Sequence, residues 1–246
     1  MTTRQLRQYL YRHGGSRASD YPKLVEWVAR RLSTDHFQGL PLTVLMGLLV
    51  GNVLVLSEIA ENLVKSEPMV KIDALFTQGL VRNRTPLISH ILYALTWLGS
   101  FYMTIGLTLA GSFFLYRQQK KRNIIILWVM LAGVGTTVQL GKRTFSRARP
   151  QQVAYYPETG YSFPSGHSAT AMTLYGLLGY WLVRGRHRLH HPVRIGVLAA
   201  ILILAVGFSR IYLGVHFLSD VLGGYLLGAC WLLVGIVLSE WQRQHT

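Results

Sequence analysis

Three short stretches carry side chains suited to reaction chemistry rather than packing. Lys142 and Arg149 frame a run that also holds Arg143 and Arg147. Tyr161 to Ser168 reads Tyr-Ser-Phe-Pro-Ser-Gly-His-Ser, and Ser209 to Asp220 contains Arg210, His216 and Asp220. In the middle stretch Pro164 and Gly166 interrupt the backbone before an apolar run. Ser165 and Ser168 are residue types that cap a helix start, so a helix is predicted to begin here. Free N–H groups and the positive dipole end make such a start an anion site, and His167 sets a titratable group beside it. Asp220 falls several residues inside a strongly apolar run, where an unpaired carboxylate is costly. His216, four residues earlier, is its predicted partner on a shared helix face. The carboxylate would accept a proton from one imidazole nitrogen and leave the other as a nucleophile or base. Arg210 at its span end also calls for an anion. Cations that clamp, N–H groups at a helix start and two histidines together are what phosphoryl transfer requires.

The elements that must position these residues are apolar. The chain has 246 residues, half of them hydrophobic and only 14% charged, yet carries a net charge of +15. Long apolar runs separate the basic residues, which fits a membrane protein and not a soluble nucleic-acid binder. Cys230 is the single cysteine, so neither an intrachain disulfide nor a cysteine metal cluster can form. Six spans are expected: Pro41 to about Ala60, one within Pro86–Tyr116, Asn123 to about Leu140, Gly166–Val183, Val193–Tyr212 and Phe217–Leu238. Each approaches the roughly twenty apolar residues that cross about 30 Å of hydrocarbon. Pro86–Tyr116 is too long for one straight span, and Gly99-Ser100 is expected to divide a short interfacial helix from the crossing one. Residues 1–40 read as a retained basic tail, since they lack the short charged start and apolar core of a signal peptide. Within it Tyr21–Leu32 has helical apolar spacing, for a membrane face or for packing in protein or solvent. Between the first two spans, Val70, Ile72, Leu75, Phe76, Leu80 and Val81 predict an interfacial helix. Glu58 and Glu61 read as solvated or salt-bridged rim carboxylates, or as headgroup contacts. Gly47 and Gly51, like Gly224 and Gly228, have the spacing of close helix contacts.

Placing the N-terminus in the cytoplasm puts sixteen of the 25 Lys and Arg residues on that side and nine on the other. The positive-inside rule therefore sets both termini in the cytoplasm. All three chemical stretches then fall at outer span ends, where a bundle can bring them together.

Lys142 to Pro150 reads K-x6-R-P, Pro164 to His167 reads P-S-G-H, and Ser209 to Asp220 reads S-R-x5-H-x3-D. These motifs, in this order and without departure at the signature positions, resemble the type 2 phosphatidic acid phosphatase family, whose site is shared with vanadium-dependent haloperoxidases. The motifs cover about eighty residues and the span pattern extends the resemblance over most of the chain, leaving residues 1–40 outside. The long apolar runs argue against the soluble haloperoxidase. The resemblance implies that His216 is the nucleophile, that Asp220 orients it, and that His167 protonates the leaving oxygen and then activates water. Lys142, Arg149 and Arg210, with Ser165 and the Gly166 N–H, would bind the non-bridging oxygens. No metal or other cofactor is implied.

The fold expected is all-α: a basic cytoplasmic extension over 1–40 and a six-span membrane phosphatase domain with interfacial helices over 41–246, its active site facing the periplasm. The expected function is removal of a terminal phosphate from a lipid such as undecaprenyl diphosphate, phosphatidylglycerol phosphate or phosphatidic acid, in a bacterial inner membrane. A phosphotransferase using the same phosphohistidine, and a non-catalytic phospholipid-binding or transport protein, are the other readings.

Overall fold

In a computed structural model, which describes residues 1–34, 37–65, 67–185 and 192–244, the regular structure is helical. The chain divides into two compact units, one of residues 1–51 with 237–246 and one of residues 52–236. In the smaller unit, α1 (Thr3–Asp20) opens on a capping box. Thr2 accepts from the Gln5 N–H at 3.3 Å, and the Gln5 side chain accepts from the Thr2 N–H at 2.9 Å. The basic tail is therefore helical over most of its length, beyond the Tyr21–Leu32 stretch expected to be so. The helix expected at Tyr21–Leu32 is α2 (Pro22–Leu32), with Pro at its first turn, where no N–H is needed. Val25 and Ala29 are buried, while Leu24 and Trp27 are exposed.

The next helix, α3 (Leu40–Lys65), contributes residues to both units. It is apolar on all sides and its apolar stretch is entirely unburied, the surface that lipid requires. The predicted interfacial segment is α4 (Glu67–Arg82). The long piece after it breaks where expected: α5 (Pro86–Thr96) and α6 (Phe101–Arg117) are bent by 51° across a 3-10 turn at Trp97–Gly99. Ser100 caps α6 by accepting from the Met103 N–H at 3.3 Å.

Four helices follow, the last running on past the end of the larger unit at residue 236: α7 (Lys121–Phe145), α8 (Gly166–Gly185), α9 (Pro192–Tyr212) and α10 (Leu218–Gln244). α7 runs past the expected end near Leu140, so Lys142 lies in its last turn; Ser146, at φ 45°, turns the chain out of the helix. α8 is the inner helix, packed on α7 and α9, and its Leu174 and Leu177 join Leu115, Leu127 and Met130 in one buried cluster. It also meets α10 closely. A Cβ on Gly224 would come within 2.5 Å of the Ser165 carbonyl oxygen, and one on Gly228 within 2.4 Å of that of Ala169. Of the two small-residue pairs, then, Gly224 and Gly228 make a helix contact, whereas Gly47 and Gly51 have no neighbour within 4 Å.

Among the described residues four helices, or five counting the bent pair as one, are long and apolar enough to cross a membrane. The chain is an integral membrane protein. The difference from the expected six is α8, whose apolar character is diluted by His167, Ser168, Thr170 and Thr173. Of the cations counted for topology, Arg186 and Arg188 lie outside the described residues.

Candidate active site

The three stretches arrive from three helix ends. Lys142 comes from the last turn of α7, and Ser165, Gly166 and His167 stand at the start of α8. Arg210 lies in the last turn of α9, His216 in the loop that follows, and Asp220 in the first turn of α10. Backbone bonds tie the stretches together: the Ser165 N–H donates to the Asp220 carbonyl at 2.9 Å, and the Ser162 N–H to that of Arg147 at 2.8 Å. The Ser168 hydroxyl donates to the Ser165 oxygen at 3.1 Å.

His216 and Asp220 are in contact, but not as two residues of one helix. His216 precedes α10, and Asp220 accepts from the Phe217 N–H at 2.9 Å, acting as an acidic cap on the helix start. The same Oδ2 faces His216 Nδ1 at 3.3 Å. The i,i+4 expectation therefore gave the right pair through the wrong geometry; a loop followed by a capped helix start brings them together. On the other side of the ring, Arg149 Nη1 lies 3.0 Å from His216 Nε2. A guanidinium can only donate, so Nε2 holds its lone pair toward Arg149 and the ring proton sits on Nδ1, toward Asp220. Burial, with Arg210 and Arg149 close by, holds the imidazole well below its usual range, which keeps it neutral.

Arg149 is fixed by three carbonyls: Val215 at 2.9 Å, Gly160 at 3.0 Å and Tyr161 at 3.2 Å. Arg210, 1% exposed, donates to Thr96 Oγ1 at 2.9 Å and to the Tyr156 hydroxyl, and pairs with Glu158. Its Nε is buried with no acceptor among the described residues. Glu158 also faces Arg149 at 3.4 Å. Burial would raise the Glu158 carboxyl, but Arg210, Arg149 and Lys142 outweigh it and hold the group below its ordinary range. The loop that carries Tyr156 and Glu158 thus reaches the buried arginines of the site. His167 stands against the 3-10 turn, where a Cβ on Gly99 would approach its ring within 3.2 Å.

Lys142, Glu158, Gly166, His167 and His216 form the polar end of a cavity of about 780 Å³. Its remainder is largely apolar and extends along α6 and α7 past Phe101, Ile105, Trp128, Leu131 and Val138. Sequence reading missed two residues that the packing brings to the site. Asp73 of α4 is 2% exposed, and Arg147 donates to Asp220 Oδ1 at 2.6 Å and to Asp73 Oδ2 at 2.6 Å. A faint signal was available: Asp73 is a lone acid on the apolar side of an otherwise amphipathic segment. Among the described residues no three His, Cys, Asp or Glu side chains gather in a metal-holding group.

A helical bundle with a cation clamp around a neutral, oriented histidine defines a class, the membrane phosphatases built on this motif set. Residues 123–244 match the family described as the PAP2 superfamily. The chain is 33% identical over 165 residues to phosphatidylglycerophosphatase B of Bacillus subtilis, covering 63% of this chain and 77% of that one. It is 27% identical over 156 residues to the undecaprenyl-diphosphatase of Sulfolobus acidocaldarius, covering 60% and 68%. The crystal structure of a transmembrane PAP2-type phosphatidylglycerolphosphate phosphatase from Bacillus subtilis superposes with a TM-score of 0.73 at 26% identity, covering 80% of this chain and 97% of that one. The chain belongs to the PAP2 superfamily. It is a hydrolase of that superfamily, a PAP2-type lipid phosphatase.

Proposed function

We propose that this protein removes the terminal phosphate of a glycerophospholipid phosphate, phosphatidylglycerol phosphate first, through a phosphohistidine on His216. The observation that carries the reading is the tautomer. Nδ1–H faces Asp220 while the Nε2 lone pair faces the cation clamp, as an in-line attack on a bound phosphoryl group needs. Nε2 attacks phosphorus, the bond from phosphorus to the lipid oxygen breaks, and His167 gives that oxygen a proton. Water then attacks the phosphohistidine, returns a proton to His167, and the P–N bond breaks to release phosphate and free Nε2. Lys142, Arg149 and Arg210 hold the non-bridging oxygens, together with Ser165 and the Gly166 N–H. The buried Arg210 Nε, otherwise without an acceptor, supports that role. Asp220 keeps the Nδ1 proton in place and offsets the charge that develops on the ring.

A lipid substrate fits the apolar length of the cavity, which can seat a hydrocarbon chain while its polar end holds the phosphate. The names of the Bacillus subtilis matches, in sequence and in structure, favour the phosphatidylglycerol phosphate headgroup, and the undecaprenyl-diphosphatase makes a prenyl diphosphate the next substrate to try. In this reading α8 is the sixth crossing, a central helix whose polar groups face protein. Residues 1–40 form a cytoplasmic extension, and the site opens to the periplasm of a bacterial inner membrane.

The test is phosphate release by purified protein in detergent from these lipids, with a chelator present and with His216→Ala alongside. Release from phosphatidylglycerol phosphate that survives chelation and is lost in the variant is expected. Activity retained by His216→Ala would overturn the mechanism, and label appearing on a second lipid instead of in free phosphate would make the protein a transferase.

A further inference from the structure

Asp220 has a second set of contacts behind the face that meets His216. Its Oδ1 receives Arg147 Nη1 at 2.6 Å, and the same guanidinium reaches across to Asp73 Oδ2 at 2.6 Å. Asp73 belongs to α4, far from α10 in sequence, yet its Oδ1 accepts the Ser219 N–H at 3.0 Å and its Oδ2 accepts the Ser219 hydroxyl. That hydroxyl in turn accepts from Arg147 Nη1 at 2.7 Å. The Arg147 guanidinium lies over the Phe217 ring, 4.3 Å from its centroid, so its plane is set as well as its two ends.

Two carboxylates and one guanidinium are thus closed into a ring of hydrogen bonds around the first turn of α10. Asp73 satisfies the Ser219 N–H at that helix start from another helix, and Asp220 satisfies that of Phe217, two residues earlier. Both acids are almost fully buried, at 2% and 0% exposure. Without Arg147 they would face each other uncompensated, and the Asp220 carboxylate could meet that cost by taking a proton or by rotating. Either response removes the acceptor that holds the His216 proton on Nδ1.

We infer that Asp73 and Arg147 form a positioning pair for the phosphatase reaction, acting on His216 only through Asp220. The Asp73 carboxylate locks the Arg147 fork, the fork fixes the Asp220 carboxylate, and that carboxylate selects the His216 tautomer. The inference rests on the reading of His216 and Asp220 as the nucleophilic pair.

The experiment compares Asp73→Asn, Arg147→Lys, Arg147→Ala and Asp220→Asn, with the double variant Asp73→Asn/Asp220→Asn, for phosphate release from phosphatidylglycerol phosphate by the full-length protein in detergent. Asp73→Asn is expected to lower kcat by about tenfold, the low end of the losses seen when a partner that orients a ligating or reacting group is removed, because Asp73 acts on His216 through two intervening side chains. KM should change less than about threefold, because the clamp is untouched. Arg147→Lys, which keeps the charge without the fork, should recover part of the activity lost in Arg147→Ala. In the Asp220→Asn background the Asp73 change should have no further effect, since the only route for it has gone. Equal losses in both backgrounds, or an unchanged kcat in a folded Asp73→Asn protein, would overturn the inference. Full activity in Asp220→Asn would instead overturn the reading on which it rests, so the two failures are told apart.

Discussion

At the scale of residues, the chemistry turns on which nitrogen of His216 carries the proton. Asp220 and Arg149 approach the ring from opposite sides, at 3.3 and 3.0 Å, and only one neutral tautomer satisfies both. The imidazole is held below its ordinary range by burial, Arg210 and Arg149, so it stays neutral as pH falls. A folded state with a depressed histidine pKa binds fewer protons than the unfolded chain, so its stability falls once pH drops below about 6.5, where the unfolded histidine begins to charge. The acidic limb of kcat/KM for the free enzyme should therefore lie clearly below about 6.5, the ordinary histidine value. A pH–rate profile for wild-type protein checks this, and a limb centred on the unperturbed value would contradict the assigned environment of His216. The residues of this centre were legible as types and order: Lys142, Arg149, Ser165, Gly166, His167, Arg210, His216 and Asp220 all come to one region of the larger unit.

Among elements, α8 organises the site because it is packed on several sides. Its N-terminus is pinned by the Asp220 carbonyl, its Tyr175 hydroxyl donates to the Leu98 carbonyl at 2.6 Å, and its inner face meets α10 across Gly224 and Gly228. That contact makes a sharp prediction. Gly228→Ala puts a methyl group 2.4 Å from a backbone carbonyl oxygen, where no side chain can move aside, and should cost about 1–3 kcal/mol. Gly47→Ala meets nothing and should be neutral or stabilising by up to about 1 kcal/mol, from better helix propensity alone. Thermal unfolding of the two variants in one detergent compares them directly; a lower Tm for Gly47→Ala than for Gly228→Ala would overturn the assignment of the contact. Spacing could not choose between these pairs, because the same small-residue pattern serves a helix contact or a lipid-facing surface. The His216 and Asp220 pair carries a similar lesson. Four-residue spacing identified partners correctly, yet the helix begins only after His216, and a terminal Asp that caps its own helix supplies the contact.

For the whole molecule, charge is the ground for the proposed orientation. Sixteen of the 25 Lys and Arg residues fall on the side assigned to the cytoplasm. The nine on the opposite side include the four at the site, Lys142, Arg147, Arg149 and Arg210, three of them held in ion pairs or carbonyl bonds. If their number on that face reflects chemistry rather than topology, the positive-inside bias is stronger than the raw count. A Gln152→Cys variant on a Cys230→Ala background should then react with a membrane-impermeant thiol reagent added to intact cells, since Gln152 is exposed on the loop beside the site. Reaction only after permeabilisation would reverse the orientation.

Apolar length, helix-breaking residues and motif order are local properties, so the membrane class, the break at Gly99-Ser100 and the groups proposed for phosphoryl transfer are readable from the chain alone. Tertiary structure alone decided which buried charges meet. Arg147 and Asp73 lie 74 residues apart, and beyond the place of Asp73 on the apolar side of its segment nothing in the chain pairs them. Their partnership arises only when α4 packs against the start of α10. There, burial makes an unpaired carboxylate costly and one guanidinium can answer two of them.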